Sequence, residues 1–164
     1  SSKKVDAGSR MLAEHIPEHA LQGVGADLGA GWGYLSYVLL ERNPNITRID
    51  LYEAEQLSLT AAQANLQPFA EKIPCHWHDV TQGLPETGYD WIIMNPPFHD
   101  VEKTALELGR AFITVAAQSL KKSGRLYMVA NKQLPYEQVM KDAFPKHQLI
   151  DDGFGYKIFE ATRT

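Results

Sequence analysis

Asp27-Leu28-Gly29-Ala30-Gly31-Trp32-Gly33 joins an apolar run over residues 21–28 to a helical stretch over residues 34–42, and the fold turns on how it is read. The run before it has the length and composition of a buried strand. The glycines permit a tight turn and let the backbone approach a ligand closely where a helix begins. A dinucleotide fingerprint needs its third glycine at position 34, but Tyr34 stands there and Gly33 comes one residue early.

Asp27 also places negative charge where a pyrophosphate would have to lie, whereas a ligand carrying an ammonium and a sulfonium gains from it. S-adenosylmethionine is such a ligand, with Gly29, Ala30, Gly31 and Gly33 forming its cradle. A strand-to-helix turn without a ligand is the plainer alternative.

Working outward, strands and helices alternate. A helix over residues 9–16 stops at Pro17 and precedes the first strand. Beyond residues 34–42 come a strand at 46–52, a helix at 55–65, a short strand at 72–78 and a strand at 89–94. A long amphipathic helix over 102–120, ended by Ser123-Gly124, leads to a strand at 125–130 and a helix at 136–144. Strands at 147–150 and 156–161 form a closing antiparallel hairpin. The order predicts an α/β fold with a mainly parallel seven-stranded sheet and helices on both faces. In such a sheet the loops after Leu28, Tyr52, His78 and Met94 meet at the carboxyl ends of the strands.

Each of those loops carries a candidate. Glu53 stands about 20 residues past the glycine loop, the offset of an acid that bridges ribose hydroxyls with its two oxygens. Asp79 can accept from an adenine amino group with Val80 packed against the ring, or it can simply fix a turn before Thr81. After Met94 comes Asn95-Pro96-Pro97-Phe98-His99-Asp100. Two prolines cannot continue a strand, so the chain leaves the sheet as a stiff loop. That loop can present the Asn95 amide and nearby carbonyls beside the flat Phe98 ring, which suits a planar substrate bearing an NH2 group, or it can be an ordinary turn anchored by Phe98.

Composition sets the bounds. A chain of 164 residues with 44% hydrophobic content fits one domain with a substantial core, residues 1–164. No apolar run approaches the roughly 18 residues that a membrane span needs, and no signal peptide is visible. With Cys75 as the single cysteine, no internal disulfide forms and a reducing cytoplasm is expected. His76 and His78 share a strand face without a third ligand nearby, so no metal is expected. The net charge of −4 argues against nucleic-acid binding by phosphate neutralisation alone, while leaving room for an RNA substrate held by a local patch or another domain.

Together, Asp27-x-Gly29-x-Gly31-x-Gly33, Glu53 and Asn95-Pro96-Pro97-Phe98 resemble the class I S-adenosylmethionine-dependent methyltransferases that modify exocyclic or amide nitrogens. More narrowly, Val5-Asp6-Ala7-Gly8-Ser9-Arg10, the Asn95 loop and Val129-Ala130-Asn131 followed by Leu134-Pro135-Tyr136 are similar to ribosomal RNA guanine-N2 methyltransferases of small- or large-subunit type. The resemblance departs at Ala30, where many members have cysteine, and at Trp32, usually small or polar.

The resemblance implies a Rossmann-like fold, S-adenosylmethionine as cofactor and ribosomal RNA or a ribosomal subunit as substrate. It also implies an amino-terminal domain of related fold in the same protein, with this chain as the catalytic part. Transfer is then direct and in line, with Asn95 and the Pro96 carbonyl accepting from the NH2 hydrogens and Asn95 also near the cofactor. Pro97 stiffens the loop and Phe98 stacks on the base. His99 contacts the base or its phosphate, or faces solvent; Lys157 and Arg125 are phosphate contacts or solvated surface. A protein glutamine-N5 methyltransferase presents the same NH2 to such a loop, though more often with tyrosine in place of Phe98. DNA adenine-N6 transfer lacks a target-recognition segment here. A catalytically silent RNA-binding or folding module is the alternative outside enzymes.

Overall fold

The computed structural model describes residues 6–97, 102–151 and 155–164. Seven strands form one sheet: β1 (Gly23–Leu28), β2 (Ile46–Glu53), β3 (Cys75–Trp77), β4 (Tyr89–Met94), β5 (Leu120–Asn131), β6 (Lys146–Asp151) and β7 (Tyr156–Thr162). Five α-helices accompany them: α1 (Ala7–His15), α2 (Tyr34–Arg42), α3 (Gln56–Asn65), α4 (Glu102–Ser119) and α5 (Glu137–Ala143). The strand order is β3-β2-β1-β4-β5-β7-β6. β1 to β5 pair in parallel and β7 runs antiparallel to both neighbours. The Rossmann-like α/β sheet with its terminal hairpin is as the sequence predicts.

Each face of the sheet carries its own core, because residues on a strand alternate sides. Ala26, Leu28, Tyr52, Ile92, Met94 and Met128 pack against Phe112, Ile113 and Ala116 of α4 and Met140 of α5. Ile49, Leu51, Ile93 and Val129 pack against Leu12 and Ile16 at α1, Leu35 and Leu39 of α2, and Leu59 of α3. A fully buried Leu or Ile contributes about 1.5–3 kcal/mol, so both layers hold the central strands firmly.

The topology fixes where ligands go. From β1 the chain winds outward through β2 to β3, and from β4 outward through β5, so the direction reverses between β1 and β4. Leu28 stands in register with Met94. The glycine loop and Asn95 therefore leave the sheet side by side at its switch point.

Some boundaries differ from expectation. α1 starts at Ala7 rather than residue 9, because Asp6 caps it: Asp6 Oδ1 accepts from Gly8 N at 2.9 Å. Ser123-Gly124 does not end α4, which stops at Ser119, with β5 beginning at Leu120. Those two residues pair with the chain end instead, as Ser123 N donates to Arg163 O at 2.8 Å and Arg163 N to Gly124 O at 2.9 Å. β3 is reduced to Cys75–Trp77, since the 3-10 turn Gln67–Lys72 occupies its expected start.

Candidate active site

The loop at residues 29–33 is shaped by three left-handed glycines, Gly29 (φ 73), Gly31 (φ 59) and Gly33 (φ 95). Gly33 and Gly31 differ in what surrounds them. A Cβ on Gly33 would lie 2.8 Å from Leu66 Cδ1, so glycine lets the loop settle against the end of α3. Around Gly31 nothing lies within 4 Å of such an atom, so its open side is free for a ligand. The loop is stitched to β2 by Gly29 N and Ala30 N, which donate to Tyr52 O at 2.9 and 3.2 Å.

Asp27 sits beneath this loop rather than on its surface, with 1% exposure. Its Oδ2 accepts from Ser36 Oγ at 2.7 Å, while Oδ1 is buried without a hydrogen-bond partner. Burial pushes its pKa up to about 7; the Ser36 bond opposes that shift and the Glu53 charge adds to it. A buried carboxyl in this state is incompletely served by its own chain, and a nearby cation would stabilise its charged form.

Glu53 closes the other side. Its Oε1 accepts from Gly31 N at 2.8 Å and its Oε2 from Glu55 N at 2.7 Å. Each carboxylate oxygen retains acceptor capacity for a hydroxyl.

Asp79 and Val80 follow β3, which lies two strands from β1 in the sheet. Asp79 accepts from Thr81 Oγ1 at 2.7 Å and from Thr81 N at 3.0 Å, which caps the 3-10 turn Val80–Gln82 and holds its carboxyl below the usual range. Val80 is buried in the core under α4. The structure thus displays the turn-fixing arrangement at Asp79.

On the β4 side, Asn95 is half-buried, and its Nδ2 donates to Asp6 Oδ2 at 2.6 Å and to Ser9 Oγ at 2.9 Å. Pro96 is half-buried and Pro97 exposed. Phe98 and His99 lie outside the described residues. A cavity of about 530 Å³ brings these parts together: Gly29 to Trp32 form one wall, Asn95 to Pro97 a second, and Asp6, Ser9, Leu134 and Tyr136 are among the residues that complete it. Asp27, Glu53, Asp79 and Val80 do not line it. A second cavity, of about 600 Å³, lies beside Gly23, Asp90 and Arg125 at the opposite ends of the strands. Strand direction selects the first, because ligands in open parallel sheets sit beyond the carboxyl ends.

Several contributors have little or no signal in the sequence. Asp6 and Ser9 belonged to the resemblance only as part of Val5 to Arg10, although an Asp just before a helical run is a capping signal. Ser36 had no signal of its own.

Lys157 corrects both of its expected readings. It is 4% exposed and donates to Leu134 O at 2.6 Å and to Glu137 Oε2 at 2.7 Å, so it pins the turn that forms one cavity wall. Arg125 is exposed near Glu160 and lines the other cavity. His76 stacks on Tyr52 at 4.9 Å, and His78 meets the same ring edge-on at 5.6 Å, so the pair does share a face. Among the described residues no group of three or more His, Cys, Asp and Glu is placed to hold a metal ion, and no helix is long and apolar enough to cross a membrane.

The family model of the methyltransferase small domain matches residues 1–160. The ribosomal RNA small subunit methyltransferase C of Proteus mirabilis is 32% identical over 99% of the chain and 48% of its own length. The structure of the T. thermophilus 16S rRNA N2 G1207 methyltransferase (RsmC) in complex with AdoMet and guanosine superposes with a TM-score of 0.84 at 29% identity, over 100% of this chain and 45% of that one. A ribosomal protein L11 methylase from Lactobacillus delbrueckii shares the fold at 18% identity, with a TM-score of 0.78 over 98% of this chain and 81% of its own. The chain spans about half the length of the curated relatives it matches. Since the family match runs through every strand up to β7 and takes in both cavity walls, the chain belongs to the methyltransferase small domain family, on the class I S-adenosylmethionine-dependent methyltransferase fold.

Proposed function

We propose that this domain transfers a methyl group from S-adenosylmethionine to an exocyclic amino nitrogen, guanine N2 of ribosomal RNA, in the cytoplasm. The observation that carries this reading is the single cavity shared by the glycine loop and Asn95-Pro96-Pro97. A methyl donor on one wall and an amino acceptor on the other then meet without either leaving its strand end. The relatives named above support ribosomal RNA as the substrate class, and the guanosine in the T. thermophilus complex supports the base. An amino-terminal domain of the same protein would add RNA contacts that a net charge of −4 does not favour here.

The residues present fit the cofactor. Gly31 offers open space, Asp27 holds a buried carboxylate oxygen that lacks a partner, and Glu53 keeps acceptor capacity for ribose hydroxyls. Gly29, Ala30 and Gly33 set the loop around it, Asn95 borders it, and Asp79 with Val80 would flank the adenine. When bound, S-adenosylmethionine supplies an electrophilic methyl group on a sulfonium.

The chain's own task is to prepare the nitrogen. An aniline-like NH2 has its lone pair delocalised into the base. Acceptance of its two hydrogens by Asn95 Oδ1 and the Pro96 carbonyl favours localising that pair, and the same acceptors stabilise charge developing on nitrogen. Pro97 keeps the loop stiff. Phe98 stacks on the base, a positioning effect worth several kcal/mol of barrier, and His99 contacts the base or its phosphate.

Incubating the protein with labelled S-adenosylmethionine and, separately, ribosomal RNA, ribosomal subunits and a release-factor protein tests the assignment. Label is expected in RNA, free or assembled. Label confined to protein would point to glutamine-N5 transfer. No label, together with no thermal stabilisation by the cofactor, would identify a silent module.

A further inference from the structure

We propose that Asp6 and Ser9 are positioning residues that lock the Asn95 amide with its oxygen toward the acceptor nitrogen, so that the clamp accepts hydrogen bonds and cannot donate them. The inference rests on the reading of Asn95 as that clamp.

An amide side chain is ambiguous by itself, since turning it over exchanges an acceptor for two donors. Here its neighbours decide. Asp6 presents Oδ2 to Asn95 at 2.6 Å, and an ionised carboxylate accepts only, so the group facing it must be the NH2. Ser9 Oγ, at 2.9 Å from the same nitrogen, takes the second hydrogen. Both donors are then committed, and Oδ1 is the polar function left for a ligand. An amide turned the other way would set Oδ1 against a carboxylate and offer NH2 hydrogens to a substrate that is itself an NH2.

The lock is anchored by the fold. Asp6 Oδ1 is held by Gly8 N at 2.9 Å as the cap of α1, which leaves Oδ2 for Asn95. Ser9 sits in the first turn of that helix. α1 is fixed on the sheet through Leu12 and Ile16, both fully buried. Its close approach depends on Gly8, where a Cβ would lie 2.9 Å from Tyr156 Cε1. One carboxylate thus sets the helix start and the orientation of an amide 89 positions along the chain.

Asp6→Asn separates the two tasks. Asparagine caps helices as well as aspartate does, so α1 should persist. Its remaining group is an NH2, which repels the Asn95 NH2 and turns that amide over. Expected results are a melting temperature and a cofactor Kd close to those of the parent protein, with kcat down about 100-fold. Adding Asn95→Asp to Asp6→Asn restores an acceptor facing the substrate and should recover most of the lost rate.

A readout independent of substrate is exchange of the Asn95 side-chain amide protons by NMR, slow in the parent protein and fast in Asp6→Asn. Parent amide protons that exchange at the free rate, an unchanged kcat in Asp6→Asn, or no recovery in the double variant would each overturn the lock. An Asn95→Ala variant with full turnover would instead overturn the clamp reading, and the lock with it. Turnover is followed on whichever NH2 substrate the parent protein labels, and absence of any labelled product would overturn both.

Discussion

Glu53 Oε1 accepts the backbone N–H of Gly31 at 2.8 Å, tying the end of β2 to the tip of the loop after β1. The same carboxylate receives Glu55 N on its other oxygen, so it organises two loops before any ligand arrives. Glu53→Ala should weaken S-adenosylmethionine binding by roughly 10- to 100-fold, about 1.4–2.8 kcal/mol, through loss of acceptors for both the loop and the ribose. Titration calorimetry reads this directly, and turnover at saturating cofactor should fall much less. Unchanged affinity would remove Glu53 from the cofactor side.

Gly31 separates backbone conformation from available space. Its φ of 59 lies in the left-handed region, which costs a non-glycine residue about 1 kcal/mol, yet nothing crowds a Cβ there. Gly31→Ala should therefore lower unfolding stability in urea by only about 1 kcal/mol. Cofactor affinity should drop further, because the new methyl group enters the open side of the cradle. Equal small losses in both would show that no ligand approaches Gly31.

Asp27 gives the fold an inverted pH dependence. Its carboxyl moves from 3.8 to about 7 on folding, so between these values the folded chain holds a proton that the unfolded chain has released. Stability from this group is retained at low pH and is lost as pH rises from about 4 to about 7, by on the order of 4 kcal/mol. Asp27→Asn removes the titration. Urea unfolding at pH 5 and pH 8 should show the variant gaining relative to the parent at the higher pH; parallel behaviour would exclude a raised Asp27 pKa. A cationic ligand nearby favours the ionised form, so cofactor binding at pH 6 should release protons, detectable in buffers of different ionisation enthalpy.

Lys157 couples the β7 strand to the cavity wall. Its Nζ serves Leu134 O and Glu137 Oε2 from a position that is 4% exposed. Lys157→Met keeps the apolar stem but leaves the carbonyl without its donor, which should cost about 1–3 kcal/mol of unfolding stability. It should also raise KM for the acceptor substrate more than Kd for the cofactor, since the wall it holds borders Asn95 rather than Glu53. An effect on cofactor affinity alone would contradict this placement.

The order of strands and the meeting of the Asp27 and Asn95 loops were legible in the sequence because they follow from local signals. Apolar runs, glycines that a turn requires and a double proline each act within a few residues. What was not legible depends on contacts between distant segments. Asp6 and Ser9 reach Asn95 only after α1 folds back over the sheet. Lys157 looks like a surface lysine until the turn at Leu134 covers it. Ser123-Gly124 reads as a helix terminator, yet its partner is Arg163, the penultimate residue of the sequence. At Asp79 the contacts are local: Oδ1 accepts from both Thr81 N and Thr81 Oγ1 within its own turn.

Nucleoside analysis by mass spectrometry bears most directly on the identity of the methylated atom. Ribosomal RNA from small subunits incubated with the protein and S-adenosylmethionine is digested completely and compared with an Asn95→Ala reaction. N2-methylguanosine should appear in the first digest and be strongly reduced in the second, with cofactor binding by the variant nearly intact. Methyl on a ribose oxygen or a ring nitrogen, or equal N2-methylguanosine from both proteins, would overturn the assignment of Asn95 as the clamp of an exocyclic amine.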